Sequence, residues 1–398
     1  MRATLILGLV CCCIASGHAE ERIWLNAEIN HKPLRLIFDS GASELILFPK
    51  TAQRLGLKVT PPPPDVVAGP GEAVGGITEE CILTLHGTTV ATRFGIIEKP
   101  AYLHWTDEDG IVGWQPISAN IFRIDAGAQT VTFLANVPEE TATWTKLRVR
   151  TQSVLCLETP NDQGATSVIL VDTGSSGGVA LHPQKWRAWR AAHASQPATI
   201  QAFFMPGAGL MVKEQTWATE LAFGPLLLSG VPIMEANPAE MTLGSTDFEA
   251  SLGLAALKRL DFIVDGQQGL AYIRPKKTQP PPYEHNRLGA AFVPRDSYDD
   301  VLVASVANSS PAAEAGIRNG DVLLKIGAID VTKWRTDPGI LPLSRFWMRP
   351  AGTKLKLALK RGLQTLEITV VHRQILPPDT SSPPLHPDVP AKSTRNQP

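Results

Sequence analysis

From Ile23 to Tyr272 the chain is a succession of short apolar runs, some alternating with polar residues and some continuous, cut at intervals by Gly, Pro and Asn. Alternation of period two over such runs predicts β-strands, with few helices. Short helices are predicted only in "KTAQRLGL" and "PQKWRAWRAAHA". "TPPPPD" at 60–65 predicts a stiff surface loop, and the Pro-rich, charged "RPKKTQPPPYEHN" at 274–286 predicts a linker between domains. After Leu376 the chain lacks the apolar side chains a packed core needs, so residues 377–398 are expected to be disordered.

The strand pattern occurs twice. "WLNAEINHKPLRLIFDSGAS" and "LCLETPNDQGATSVILVDTGSS" each read strand, polar turn, strand, Asp. A glycine-rich hairpin follows in each half, "GPGEAVGGITEE" and then "MPGAGLMVKEQ". Next come an apolar-apolar-Gly step, at Gly113 and Gly253, and twelve residues later another Asp in "FRIDAGAQTVTF" and "FIVDGQQGLAYI". Four landmarks in the same order mark a duplicated lobe, 21–137 and 144–275, and the duplication governs the fold.

Composition adds boundaries. The 398 residues are 43% hydrophobic and 19% charged, which fits two or three globular domains. Net charge is -1 and no Lys/Arg block exists, so neither nucleic acid nor an anionic membrane surface is an expected partner. "MRATLILGLVCCCIASGHA" predicts a signal peptide cleaved after Ala19, hence an exported protein, periplasmic or secreted; a lipid anchor on Cys11, Cys12 or Cys13 is the less favoured alternative. Cys81 and Cys156 then remain, in different halves, and read as buried free thiols. The nine His show no metal-ligand spacing, so no metal or cofactor is expected.

An Asp at the end of an apolar run is costly to bury unless something satisfies or uses it. Two such Asp brought together cannot both ionise and so share one proton. One then activates a water while the protonated partner polarises a carbonyl. "GSSGG" at 174–178 offers a competing nucleophile, Ser176 with His182 or His193, but "GASEL" in the other lobe lacks it and no strand-turn-helix context surrounds it. As turn residues beside Gly, Asp39 and Asp172 would merely cap their loops, which leaves the repetition unexplained.

The two lobes resemble aspartic proteases of the retropepsin and pepsin kind, which pair one Asp-Thr/Ser-Gly loop from each of two similar lobes. The resemblance implies a mainly β, bilobal acid-protease fold of two retropepsin-like barrels in one chain, acting as a monomer on peptide or protein substrates. It carries Asp39 and Asp172 as the catalytic pair. Ser40, Gly41, Thr173, Gly174 and Ser175 would support the loops, with the Ser175 hydroxyl hydrogen-bonding its neighbouring carboxylate. Gly75, Gly76, Gly207 and Gly209 fall in the stretches expected to be flaps. Residues 287–373 resemble a PDZ domain (α+β), most specifically in "SSPAAEAGIRNGDVLLKIGAIDV", with its Pro-started helix capped at Gly316. By that resemblance Leu288, Gly289 and Ala290 form a loop that captures the C-terminal carboxylate of a peptide ligand. The expected activity is that of an aspartic endopeptidase with a PDZ module. The alternative is an inactive peptide-binding scaffold.

Overall fold

Each lobe opens as a hairpin whose second strand delivers an Asp. In the computed structural model, which describes residues 21–62, 73–98, 108–150, 152–160, 164–205, 209–243, 245–278, 280–296, 299–337 and 339–377, Trp24–Ile29 pairs antiparallel with Lys32–Phe38, Leu25 opposite Leu36. The two-residue turn between them holds Asn30 and His31 at φ 49 and 64, the twist a tight hairpin favours. Alternation then sends Leu25, Ala27, Ile29, Leu34, Leu36 and Phe38 into one core. The second lobe repeats this with Cys156–Pro160 against Thr166–Val171.

Beyond the Asp, each lobe folds back on itself in the same way. Lys32–Phe38 runs parallel to Gly110–Val112, which lies antiparallel to Leu45–Leu47 on its other side. Thr166–Val171, Ala250–Leu252 and Val179–Leu181 reproduce that arrangement. The predicted helices follow, at Pro49–Leu55 and Pro183–Ala192, each with Pro in its first turn.

A shared sheet joins the lobes. Ile121–Asp125 pairs with Leu260–Asp265, and Thr145–Arg150 pairs with Leu270–Pro275, so the apolar core is continuous across both halves. The Asp twelve residues past each Gly landmark are turn caps: Asp125 Oδ1 accepts from the Gly127 and Ala128 amides, and Asp265 Oδ1 from those of Gln267 and Gln268.

The C-terminal region is a separate six-stranded sheet from Ala290–Pro294 to Gln364–Val371, with short helices at Pro311–Glu314 and Ser344–Trp347. The Ser310 hydroxyl caps the first helix by accepting from the Ala313 amide, and Gly316 follows it at φ 89. The stretch expected to be a spacer is docked instead. Tyr283 hydrogen-bonds Gln201 and Gln215, and His285 and Asn286 are buried. Its polar side chains satisfy groups on the second lobe, which a free linker would leave to water. The N-terminal leader, residues 63–65 of the 60–65 loop, Gly207 and residues 378–398 of the tail lie outside the described residues. No described helix is long and apolar enough to cross a membrane.

Candidate active site

The two Asp-Ser/Thr-Gly loops meet at the centre of the bilobal unit and are hydrogen-bonded to each other. Ser40 Oγ donates to the Val171 carbonyl at 2.6 Å and accepts from the Thr173 amide at 3.1 Å. In return Thr173 Oγ1 donates to the Phe38 carbonyl at 2.8 Å and accepts from the Ser40 amide at 2.9 Å. Each hydroxyl spends both roles on the opposite loop, so the four bonds form one fully satisfied buried network.

Glycine is what allows the approach. A Cβ on Gly174 would sit 2.2 Å from Asp39 Oδ2, and one on Gly41 would sit 2.9 Å from Asp172 Cγ. Any side chain at either position would push the opposite carboxyl away. The apolar-apolar-Gly segments hold the loops from behind: the Asp39 amide donates to Val112 and the Asp172 amide to Leu252.

Both Asp side chains are fully buried. Asp39 Oδ1 accepts from the Gly41 amide at 2.9 Å, and Asp172 Oδ1 from the Gly174 and Ser175 amides at 3.0 and 3.1 Å. The interlocked loops set the Asp172 carboxyl beside that of Asp39, close enough to act on its titration, and two buried carboxyls so placed cannot both ionise freely. Burial lifts Asp39 from its ordinary 3.8 to about 6, against the opposing pull of the Gly41 amide, the Arg22 charge, Asp172 and the Ala42 amide. The pair therefore holds a proton into the weakly acidic range, the condition for acid and base roles in one site.

Other expected positions fall differently. The Ser175 hydroxyl accepts from the Gly177 amide at 3.3 Å, and it is the Ser175 backbone N–H that donates to Asp172. Gly75 and Gly76 lie within the strand Ala73–Thr78, which pairs with Val59–Thr60 and Gly95–Glu98, and not at a hairpin tip. Gly76 has φ 132, and a Cβ there would meet the Thr60 carbonyl at 2.1 Å, so it serves strand packing at a bulge. Gly209 begins the return strand of the hairpin Thr199–Met205/Gly209–Phe223, the second lobe's flap candidate.

The expected carboxylate loop of the C-terminal domain is already engaged. The Leu288 and Gly289 amides both donate to Asn286 Oδ1, at 3.0 and 2.9 Å, as they would to a peptide carboxylate. Asn286 Nδ2 donates in turn to the Ala290 carbonyl and to Ile200 on the second flap strand. Thr199 Oγ1 adds a bond to the Asn286 carbonyl. Between this domain and the flap lies a cavity of about 90 Å³, lined by Ile200, Ala202 and Leu210 on one side and Phe292, Leu302 and Trp347 on the other. Sequence reasoning missed both Asn286 and the buried Arg22. Nothing local marks either, because their partners are distant in the chain.

Cys81 and Cys156 are free and buried, and burial pushes the Cys156 thiol up to about 12, which makes it inert as a nucleophile. Among the described residues no group of three or more His, Cys, Asp or Glu is arranged to hold a metal ion.

Residues 25–96 match the family model described as aspartyl protease, and residues 286–371 match that of the PDZ domain. No curated protein matches the chain. Among solved structures, the retroviral protease-like domain of Ddi1 from Leishmania major is 22% identical, over 30% of this chain and 98% of that one, with a TM-score of 0.23. The first match includes Asp39 and ends before the second motif, so Asp172 rests on the internal repeat and the loop geometry.

Proposed function

Because one chain carries an aspartyl protease domain at its N-terminal side and a PDZ domain at its C-terminal side, we propose that the protein is a single-chain aspartic endopeptidase. The carrying observation is the interlocked pair of loops that buries one carboxyl from each lobe in a single site. Burial keeps one proton on the pair, and the carboxyl that holds it polarises the scissile carbonyl. The other, ionised and held by backbone amides, takes a proton from the attacking water. As the tetrahedral intermediate collapses, a proton passes from the pair to the leaving amine, and the pair is left with one proton.

Since one chain supplies both loops, the unit works as a monomer. The leader pattern at 1–19 supports export. The PDZ domain acts on the second flap, against which it is hydrogen-bonded, and offers the adjoining apolar cavity to peptide. Both carboxyls are fully buried, so a flap must open before substrate enters. A chain in which it never opened would be the inactive scaffold.

The test incubates purified protein with a peptide library between pH 3 and 8, beside Asp39→Asn and Asp172→Asn. Cleavage by the wild type should decline as pH rises through about 6, where Asp39 loses its proton. Each variant should lose at least about a thousandfold in kcat/KM. Wild-type turnover in either variant, or no cleavage by the wild type at any pH, overturns the assignment.

A further inference from the structure

The two lobes keep the same strand register up to their Asp, which fixes the residue across from each carboxyl. In the first lobe Trp24 lies opposite Ile37, and the Phe38 amide donates to the Ile23 carbonyl at 2.9 Å, which sets Arg22 opposite Asp39. In the second, Cys156 lies opposite Leu170, and the Val171 amide donates to the Leu155 carbonyl at 2.9 Å, which sets Val154 opposite Asp172. Residues directly opposite on antiparallel strands send their side chains to the same face. Asp39 thus shares its face with a guanidinium and Asp172 with an isopropyl group. Loop amides, interlocking hydroxyls and the apolar strand behind are common to both lobes.

Arg22 is only 2% exposed, although its side chain stays charged at every accessible pH and is costly to bury away from negative charge. Its Nη1 donates to the Glu21 carbonyl at 3.1 Å, and the Glu21 carboxylate is paired with Lys258. The charged groups that bear on Asp39 are Arg22 across the strand and Asp172 on the facing loop. Ser40, Gly41 and Ala42 beside it and Val112 behind it carry no charge. Arg22 favours the ionised carboxylate and so offsets part of the burial that raises Asp39. Val154 belongs instead to an apolar cluster with Cys156 and Leu170.

We infer that Arg22 is a positioning residue of this site: its charge, across the strand from Asp39 and replaced by Val154 in the second lobe, sets the upper pH limit to which the pair keeps its proton. The role rests on the endopeptidase reading and adds the residue that fixes its working pH.

The test measures kcat/KM between pH 3 and 8 on an uncharged peptide from the cleaved pool, for wild type, Arg22→Gln, Arg22→Met, Arg22→Lys and Val154→Ala. Wild-type cleavage should decline through about pH 6. In Arg22→Gln the decline should move up by at least about half a pH unit, because the pair keeps its proton longer without the charge. Arg22→Met, which retains an apolar stem, should do the same and serves if Arg22→Gln does not fold. Arg22→Lys keeps a charge and should bring the midpoint back towards wild type. Val154→Ala alters packing alone and should leave the midpoint in place. An unchanged midpoint in the neutral variants, or the same shift in Arg22→Lys or Val154→Ala, overturns the role while leaving the endopeptidase intact. If the wild type cleaves nothing, the endopeptidase reading fails on its own. The titration is then followed by NMR of isotope-labelled Asp carboxyls, the two signals identified by their loss in Asp39→Asn and Asp172→Asn. The upper midpoint of the pair should rise in Arg22→Gln, and an unmoved midpoint overturns the role.

Discussion

Replacing Asp39 by Asn should make the folded protein more stable at neutral pH while destroying its proposed activity. In the folded state Asp39 is lifted from 3.8 to about 6, chiefly by burial. At about 1.4 kcal/mol per pH unit, holding this carboxylate ionised costs the folded state about 3 kcal/mol. Below pH 3.8 Asp39 is protonated whether the chain is folded or not, and the cost vanishes. Between 3.8 and about 6 the folded chain binds more protons than the unfolded one, so stability falls as pH rises, and above about 6 the full cost is present. Asn cannot ionise, still accepts from the Gly41 amide, and offers an N–H to Asp172 without needing a shared proton. Urea unfolding of wild type and Asp39→Asn, in half-unit steps from pH 3.5 to 7.5, should give a stability difference near zero at the acid end. It should grow to about 3 kcal/mol in favour of the variant by pH 7. A difference independent of pH, or a variant less stable than wild type at pH 7, would show that burial does not burden this carboxyl and would remove the physical basis for its holding the proton.

Two further changes probe the framework around the pair. Thr173→Val keeps the shape but strands the Ser40 amide and the Phe38 carbonyl, and should lower unfolding stability by about 2–5 kcal/mol, read from the urea midpoint. Asn286→Ala removes the acceptor for two loop amides and the tie to the second flap. Amide hydrogen exchange at Leu288, Gly289 and along 199–205 should accelerate, and unchanged protection there would mean that Asn286 does not join the two elements.

Much of this organisation is already written in the linear chain. The alternating runs and their repetition specify two β lobes, because a strand with one buried face must repeat its apolar residues every second position. The Asp loops announce themselves through an apolar approach that ends in an acidic residue. The cap of the Pro311–Glu314 helix is local chemistry, with Ser310, Pro311 and Gly316 all within one turn of it. Features set by partners far apart in sequence were not legible. The Ser175 hydroxyl accepts from the Gly177 amide, and it is the Ser175 backbone N–H that donates to Asp172. Gly76 belongs to a strand crossing Thr60, a contact no local pattern encodes. Asn286 stands in a Pro-rich stretch that reads as spacer, yet its side chain finds the PDZ loop and the flap only once both domains have packed. The lift on Asp39 has the same origin: the sequence supplies the carboxyl, and the tertiary structure removes its water.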